Sequence, residues 1–245
     1  MKKIIITVLS ICFLSAFSVS AQSEKLIKAA EEGDAGSQYE LGLFYIEKGS
    51  NTYNPALSIE WLTKSASQGY MDAQYQLGYM YFVDGKEAEA LKWSKAAALQ
   101  GHAGAQSNLA VHYNNNKDMV PAIKWARLAA KSGDARAQYL MGLFYYEGRG
   151  LEQDYETAVE YLQKSSSQGN LAAKVLLGVC LLKGTGFDKD EEQAFILFNA
   201  AAQKGNIQGM QNLVKCYREG LGVEKNETKA KELEREIDSI NNKRR

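Results

Sequence analysis

The chain has 245 residues, with 29 Lys plus Arg against 29 Asp plus Glu, 45% apolar residues, 3 Cys and 2 Pro. That composition belongs to a globular protein and excludes a disordered tail, a collagen-like rod and a disulfide-dense miniprotein. A formal charge of +0 leaves no basic excess to neutralise a phosphate backbone, so nucleic acid is not an expected partner.

The first residues read as a targeting segment. Lys2 and Lys3 form a positive n-region, Ile4 to Phe17 an apolar h-region, and Val19-Ser20-Ala21 supplies short side chains at a cleavage site. This is the pattern of a secretory signal peptide over 1–21, cut after Ala21. The apolar run is shorter than the about 20 residues that span a bilayer. Cys12 follows Ile11 within it, which argues against a lipid anchor. Removal of 21 residues leaves 224, with 27 basic and 29 acidic side chains and a charge of −2. The expectation is an exported protein, periplasmic or secreted, with no stable membrane insertion after cleavage.

Residues 22–245 then read as one domain built on one motif. Glycine closes an Ala-rich or Ser-rich stretch at Gly33, Gly69, Gly101, Gly133, Gly169 and Gly205, with spacings of 36, 32, 32, 36 and 36. Leu41-Gly42, Leu77-Gly78, Leu109-Ala110, Met141-Gly142, Leu177-Gly178 and Leu213-Val214 keep the same uneven spacing. So do Trp61, Trp93, Trp125, Tyr161 and Leu197, each eight positions before a glycine. Three markers in one register define repeats. In chain order the reading is a capping helix over 22–34, copies at about 35–69, 70–101, 102–133, 134–169, 170–205 and 206–240, and a tail at 241–245.

Each copy reads as helix, turn, helix. In the second, Ala73, Leu77, Met80 and Tyr81 recur at i, i+4, i+7 and i+8, and Ala90, Trp93, Ala96 and Ala97 share a second stripe. Asp34, Asp134, Asn170 and Asn206 stand where N-caps of first helices belong, and Asn54, Asp118, Asp154, Asp190 and Asn226 where those of second helices do. Small residues at Gly42, Gly78, Ala110, Gly142 and Gly178 allow two backbones to approach, with the aromatic marker filling the groove. Tyr45, Tyr81, Tyr113 and Tyr145 are expected in the core. Leu233, Ile237 and Ile240 form the stripe of a C-terminal cap, and Lys243-Arg244-Arg245 suits a helix C-terminus.

The series Ala-x-x-Leu-Gly-x-x-Tyr, Gly-x-Gly, Asp-x-x-x-Ala-x-x-Trp and a closing Ala-Ala-x-x-Gly resembles the Sel-one-like repeat, a relative of the tetratricopeptide repeat. Its clearest copies run from Ala137 to Gly169, with Gly148-Arg149-Gly150, and from Ala173 to Gly205, with Gly184-Thr185-Gly186. The second and third copies lack Gly-x-Gly, Lys86 replaces the capping Asp, and Val214 replaces glycine in the last. The resemblance implies an all-α, right-handed solenoid of about six helix-turn-helix repeats, because one helical pair cannot bury its apolar face alone.

Catalytic chemistry is hard to find. His112 sits in the slot of Phe44, Met80, Phe144 and Cys180, read as a core slot, and His102 at an interhelical turn reads as exposed. Cys180 and Cys216 lie one period apart; an oxidising compartment leaves a disulfide open, but stacked helices lie about 8–10 Å apart where a disulfide needs Cα atoms within about 7 Å, so free packed thiols are the favoured of the two readings. The Gly-x-Gly turns have no strand before them and no Gly-Lys-Ser/Thr after, so they are turns and not phosphate loops. No Ser-x-x-Lys occurs. Neither a metal nor a cofactor is expected.

The resemblance to tetratricopeptide solenoids places first helices on a concave face. It maps Tyr39, Leu43 and Ile46, then Tyr75, Tyr79 and Phe82, then Val111, Asn114 and Asn115, then Tyr139, Leu143 and Tyr146 onto that face. For these residues packing and binding are both open readings. Rows of tyrosine and asparagine suit an extended peptide, so the first functional reading is an exported, non-enzymatic scaffold for a protein or peptide partner. A rival is a cell-envelope or antibiotic-directed hydrolase, but its candidate carboxylates, Glu47 and Glu147, lie 100 residues apart. A third is an inert structural spacer.

Overall fold

A computed structural model describes residues 24–47 and 52–243. The signal-peptide reading of 1–21 and the pair Arg244-Arg245 lie outside the described residues. The described residues are helical with no strand: α1 (24–31), α2 (Ala35–Ile46), α3 (Pro55–Ser67), α4 (Met71–Val83), α5 (Glu87–Leu99), α6 (Ala103–Asn115), α7 (Met119–Lys131), α8 (Ala135–Glu147), α9 (Tyr155–Ser167), α10 (Leu171–Lys183), α11 (Glu191–Ala202), α12 (Ile207–Glu219) and α13 (Glu227–Lys243). This is the all-α solenoid class, each repeat one helical pair. The chain divides into two compact units between Ala105 and Gln106, within α6.

Close approach of the paired helices is built from the absence of a Cβ. A Cβ on Gly42 would lie 2.6 Å from Leu62 Cγ, one on Gly142 2.8 Å from Leu162 Cγ, and one on Gly178 2.6 Å from Phe198 Cε1. At Gly42, Gly78, Gly142 and Gly178 the groove is thus filled by the residue after the marker, not by Trp61, Trp93, Tyr161 or Leu197. One residue is a 100° step around a helix, so Trp61, Trp93 and Tyr161 fall on the flank and stay half-buried, while Leu62, Leu162 and Phe198 are fully buried. Lys64 lies 3.9 Å from the centre of the Trp61 ring and Lys92 4.8 Å from that of Trp93, so the flank carries cation–π contacts.

Within the first unit, Leu62, Ala66, Ala73 and Leu77 form a core cluster on which Tyr39, Tyr70, Tyr81 and Trp93 pack. Side-chain hydrogen bonds tie successive elements together. Ser58 Oγ donates to the Gly42 carbonyl at 2.6 Å and Ser65 Oγ to that of Ala35 at 2.6 Å. Gln68 Nε2 donates to Gln38 Oε1 at 2.8 Å and to the Gly33 carbonyl at 3.0 Å. At α1, Ala30 is buried and its carbonyl accepts from Gln38 Nε2 of α2 at 2.9 Å.

The second unit repeats these devices. Ser165 Oγ donates to Ala135 O at 2.6 Å, and Gln168 Nε2 to Gln138 Oε1 at 2.8 Å and Gly133 O at 3.0 Å. Its cores are the cluster of Val159, Leu162, Ala173, Leu177 and Cys180, and a second that joins Phe198, Met210, Leu213 and Cys216 to Ile237 of α13. Leu233 and Ile240 pack on the latter, completing the expected C-terminal stripe.

Helix ends follow the caps with one exception. Asp34, Asn54, Asp134, Asp154, Asn170, Asp190, Asn206 and Asn226 each accept from the backbone N–H three residues on. Asp118 makes no such bond. Its φ of −87° matches that of Lys86 (−87°), whereas the capping Asn54 and Asp154 have −147° and −145°. The loops shortened by four residues therefore enter the second helix by another route, which turns the carboxylate away.

The longer loops fold back on the preceding pair. Gly150, at φ 70°, lies so close to α7 that a Cβ would stand 2.8 Å from Ile123 Cδ1, and Gly186, at φ 74°, sits against the Tyr155 carbonyl. Left-handed backbone and missing side chain are both required there. Lys117, at φ 61°, adopts the same conformation without being glycine, at a cost of about 1–2 kcal/mol.

Cys180 and Cys216 are free and buried. Burial pushes both thiols up, that of Cys216 to about 11. Two outcomes follow. Native protein without residues 1–21, and so without Cys12, reacts at pH 8 with a thiolate-selective reagent only as fast as it unfolds, whereas urea-unfolded protein reacts at once; fast native labelling would show the thiols accessible. Gln168→Ala, which strips the buried Gln138 oxygen of its donor, lowers stability by about 1–3 kcal/mol in equilibrium unfolding.

Candidate functional site

In the first unit the residues expected on the concave face stand three on α2, Tyr39, Leu43 and Ile46, and three on α4, Tyr75, Tyr79 and Phe82. Tyr79 is 50% and Phe82 67% exposed, and Val83 beside them is 69% exposed. Three large apolar groups on the last two turns of one helix are far from the usual scatter of single exposed side chains. The cause is local. α4 ends in the shortened loop at Asp84-Gly85-Lys86, where Lys86 Nζ pairs with Asp84 Oδ2 at 2.7 Å, and no longer loop follows to cover it.

Tyr75 and Tyr39 are less available. The Tyr75 ring stacks on His102 with centroids 4.1 Å apart. The Tyr39 ring lies 5.2 Å from that of Tyr70, and burial, then Asp72 and then Tyr70, holds its hydroxyl above the ordinary phenol range. His102 is not the exposed residue that its turn position suggests. Its Nδ1 accepts from the Ala105 N–H at 3.1 Å and its Nε2 lies 3.6 Å from Asp72 Oδ1, so it caps α6 and orients Tyr75. The signal was in the register: His102 follows Gly101 as Asp34 follows Gly33 and Asp134 follows Gly133.

In the second unit the expected residues are drawn into structure. Tyr139 and Tyr146 are half-buried and pack on the Leu162 and Leu177 cluster. Burial, then Glu147, holds the Tyr139 hydroxyl above its ordinary value. The Tyr146 hydroxyl accepts from Lys183 Nζ at 3.1 Å, and its ring meets Tyr155 edge-on at 5.5 Å. Asn114 Oδ1 accepts from Arg149 Nη2 at 2.9 Å, while Arg149 Nη1 reaches Glu147 Oε2 at 3.2 Å. Asn115 is exposed. Arg149, from the Gly-x-Gly turn, thus fixes one of the two asparagines offered as a peptide clamp, a link between residues 35 apart in sequence.

The other side chains weighed for chemistry are structural. His112 is half-buried where a fully buried imidazole was expected, because Asn116 Nδ2 lies 3.1 Å from its Nε2 at the helix surface and draws the ring outward. Its slot is buried at Phe144 and Cys180 but 39% exposed at Phe44. The tyrosines 45, 81, 113 and 145 are half-buried, not fully in the core. Glu47 is exposed and Glu147 is held by Arg149. Among the described residues no group of three His, Cys, Asp or Glu could hold a metal ion, and no helix is long and apolar enough to cross a membrane.

A family profile described as Sel1 repeat matches residues 35–70, 72–102, 103–134, 135–170, 171–206 and 209–233. Among solved structures, the chain is similar to c5321, a protective antigen present in uropathogenic Escherichia coli strains and displaying an SLR fold, at 32% identity and a TM-score of 0.79. The alignment covers 89% of this chain but 48% of the antigen, so the chain spans about half the length of that relative. A Sel1 repeat protein from Oxalobacter formigenes is similar at 28% identity and a TM-score of 0.73, over 91% of this chain and 95% of that one. No curated protein matches the chain. Sel1 repeat proteins are generally non-catalytic scaffolds for protein–protein interaction. With six matched repeats over most of its length, the chain belongs to the Sel1 repeat family.

Proposed function

We propose that this protein is an exported, non-catalytic scaffold that holds a peptide or protein segment on the concave face formed by its first helices. The observation that carries the reading is the pair Tyr79 and Phe82, 50% and 67% exposed on α4. Exposed aromatics that add nothing to the core remain available to a partner, and such residues dominate binding energy where they sit at the centre of an interface. Tyr39 and Tyr75 flank them as rings braced by Tyr70 and His102, so they offer flat apolar surface at low entropic cost. On the second unit, taken by itself, Tyr139, Tyr146, Asn114 and Asn115 stand on first helices as a more polar set, with Asn114 set by Arg149.

Export rests on residues 1–21, whose charge and hydropathy pattern is that of a signal peptide. A relative that is a protective antigen is in keeping with a protein that leaves the cytoplasm. The domain reading of 22–245 as one array of repeats goes with it.

A photoreactive residue at Tyr79, in living cells, gives a specific adduct, while one at Lys92 on the outer face of α5 gives none. Adducts from both positions, or from neither, would contradict the reading. Without the crosslinker, Tyr79→Ala and Phe82→Ala each weaken binding of the partner that the adduct identifies by about 5- to 30-fold, about 1–2 kcal/mol, with the melting temperature unchanged.

A further inference from the structure

The last helical pair leaves open a place that four other copies fill with a ring. Trp61, Trp93, Trp125 and Tyr161 hold one register position on their second helices. Each has a lysine over its ring, Lys64, Lys92, Lys124 and Lys164, between 3.9 and 5.7 Å from the ring centre. That lysine stands either one position before the ring residue or three after it. On α13 the same register position is Leu233, and both flanking positions are glutamates, Glu232 and Glu236. Glu60 and Glu160 also precede rings, but there the lysine three positions after the ring is present.

Loss of the ring leaves space. Trp93 packs on the cluster of Leu62, Ala66, Ala73 and Leu77, whereas Leu233, with a much smaller side chain, packs on the cluster that holds the equivalent Ala202 and Leu213. Between α11 and α13 two adjoining hollows of about 270 and 350 Å³ share Asn199, Leu213, Leu233 and Glu236, a volume in the range of ligand sites. Among the described residues neither Glu232 nor Glu236 has an ion-pair partner, while Glu227 and Glu234 of the same helix pair with Arg218. Like charges four residues apart on a helix repel, so this pair opposes folding. The side-chain amides of Asn199 and Gln203 on the α11 side likewise bond no described residue. Of the lining residues the one cation, Lys229, lies over the Tyr217 ring at 5.2 Å.

The protein itself displays what complements such a place: in four copies an aromatic ring with a cation against it. In the last copy this chain supplies neither, and carboxylates stand where its own cation would be. An anion would be repelled there, and a purely apolar group would leave both charges unmatched. We propose that the groove between α11 and α13 is a second binding site, and that it takes a segment of a protein partner in which an aromatic residue neighbours a lysine or arginine. The ring lies on Met210, Leu213 and Leu233, the cation meets Glu232 and Glu236, and Asn199 and Gln203 bond the segment's backbone. The site lies wholly in the second unit and does not depend on the exposed aromatics of α4.

The test uses the protein without residues 1–21, its leucine and methionine methyls labelled for NMR, titrated with the peptide acetyl-Gly-Trp-Lys-Gly-amide. The expected result is saturable shifts of the Met210, Leu213 and Leu233 methyls. Affinity falls at least five-fold when the peptide's lysine is replaced by glutamate or its tryptophan by alanine. Glu232→Gln/Glu236→Gln lowers affinity for the lysine peptide at least five-fold and levels it with that for the glutamate peptide. Leu233→Trp, which returns a ring to the groove, abolishes binding without lowering the melting temperature. Phe82→Ala leaves binding unchanged, so this site and the α4 aromatics stand or fall separately. Absence of saturable shifts overturns the proposal. So does equal affinity of the unaltered protein for the lysine and glutamate peptides, or undiminished binding by folded Leu233→Trp. Tryptamine binding as tightly as the peptide would also overturn it, since the occupant would then be a free aromatic amine.

Discussion

In four of the six repeats two helix backbones come closer than a side chain permits, at Gly42, Gly78, Gly142 and Gly178. At Gly42, Gly142 and Gly178 the space that a Cβ would occupy is held by Leu62, Leu162 and Phe198. These partners are fully buried, so the contact is both a spacing rule and the largest local burial of apolar surface. The tie from the second helix to the first completes it. Ser58 binds the Gly42 carbonyl at 2.6 Å, a hydrogen bond that only a closely packed pair can make. Stacking between neighbours uses the same residue type: Gln74 Nε2 donates to the Ala66 carbonyl of the preceding copy at 3.1 Å, and Gln38 Nε2 to the Ala30 carbonyl of α1 at 2.9 Å. In a repeat protein such nearest-neighbour terms add up to the stability of the array.

What the array leaves exposed follows from where its loops are long or short. Gly150 and Gly186 bring the long loops onto the starts of α7 and α9. In the second and third copies the loop is four residues shorter, the cap bond at Asp118 is absent, and α4 ends with Tyr79, Phe82 and Val83 open to solvent. The same deletion puts Lys117 in a strained turn before α7. The exposed aromatics assigned to a partner therefore lie in one of the two atypical copies.

Most of the fold was legible because its constraints are local or periodic. Glycine spacing located the turns that close each copy, and short polar side chains located eight of the caps, since the N–H they satisfy is three residues away. The groove filler was misassigned by one position, Trp61 for Leu62, because both are large and apolar and only the angular step distinguishes them. The site was less legible. Exposure of Tyr79 against burial of Tyr139 depends on what packs from neighbouring elements, and contacts such as Arg149 to Asn114 join residues 35 apart. His102 was readable as a cap from its register but looked exposed from its place in a turn.

If stability resides in the small-residue contacts and the exposed aromatics are held for partners, the two sets must separate thermodynamically. Equilibrium urea unfolding of Leu62→Ala and Phe82→Ala measures this most directly. The account predicts a loss of about 2–5 kcal/mol for Leu62→Ala and less than about 0.5 kcal/mol for Phe82→Ala. A Phe82→Ala loss as large as that of Leu62→Ala would make the exposed ring part of the core and contradict the account.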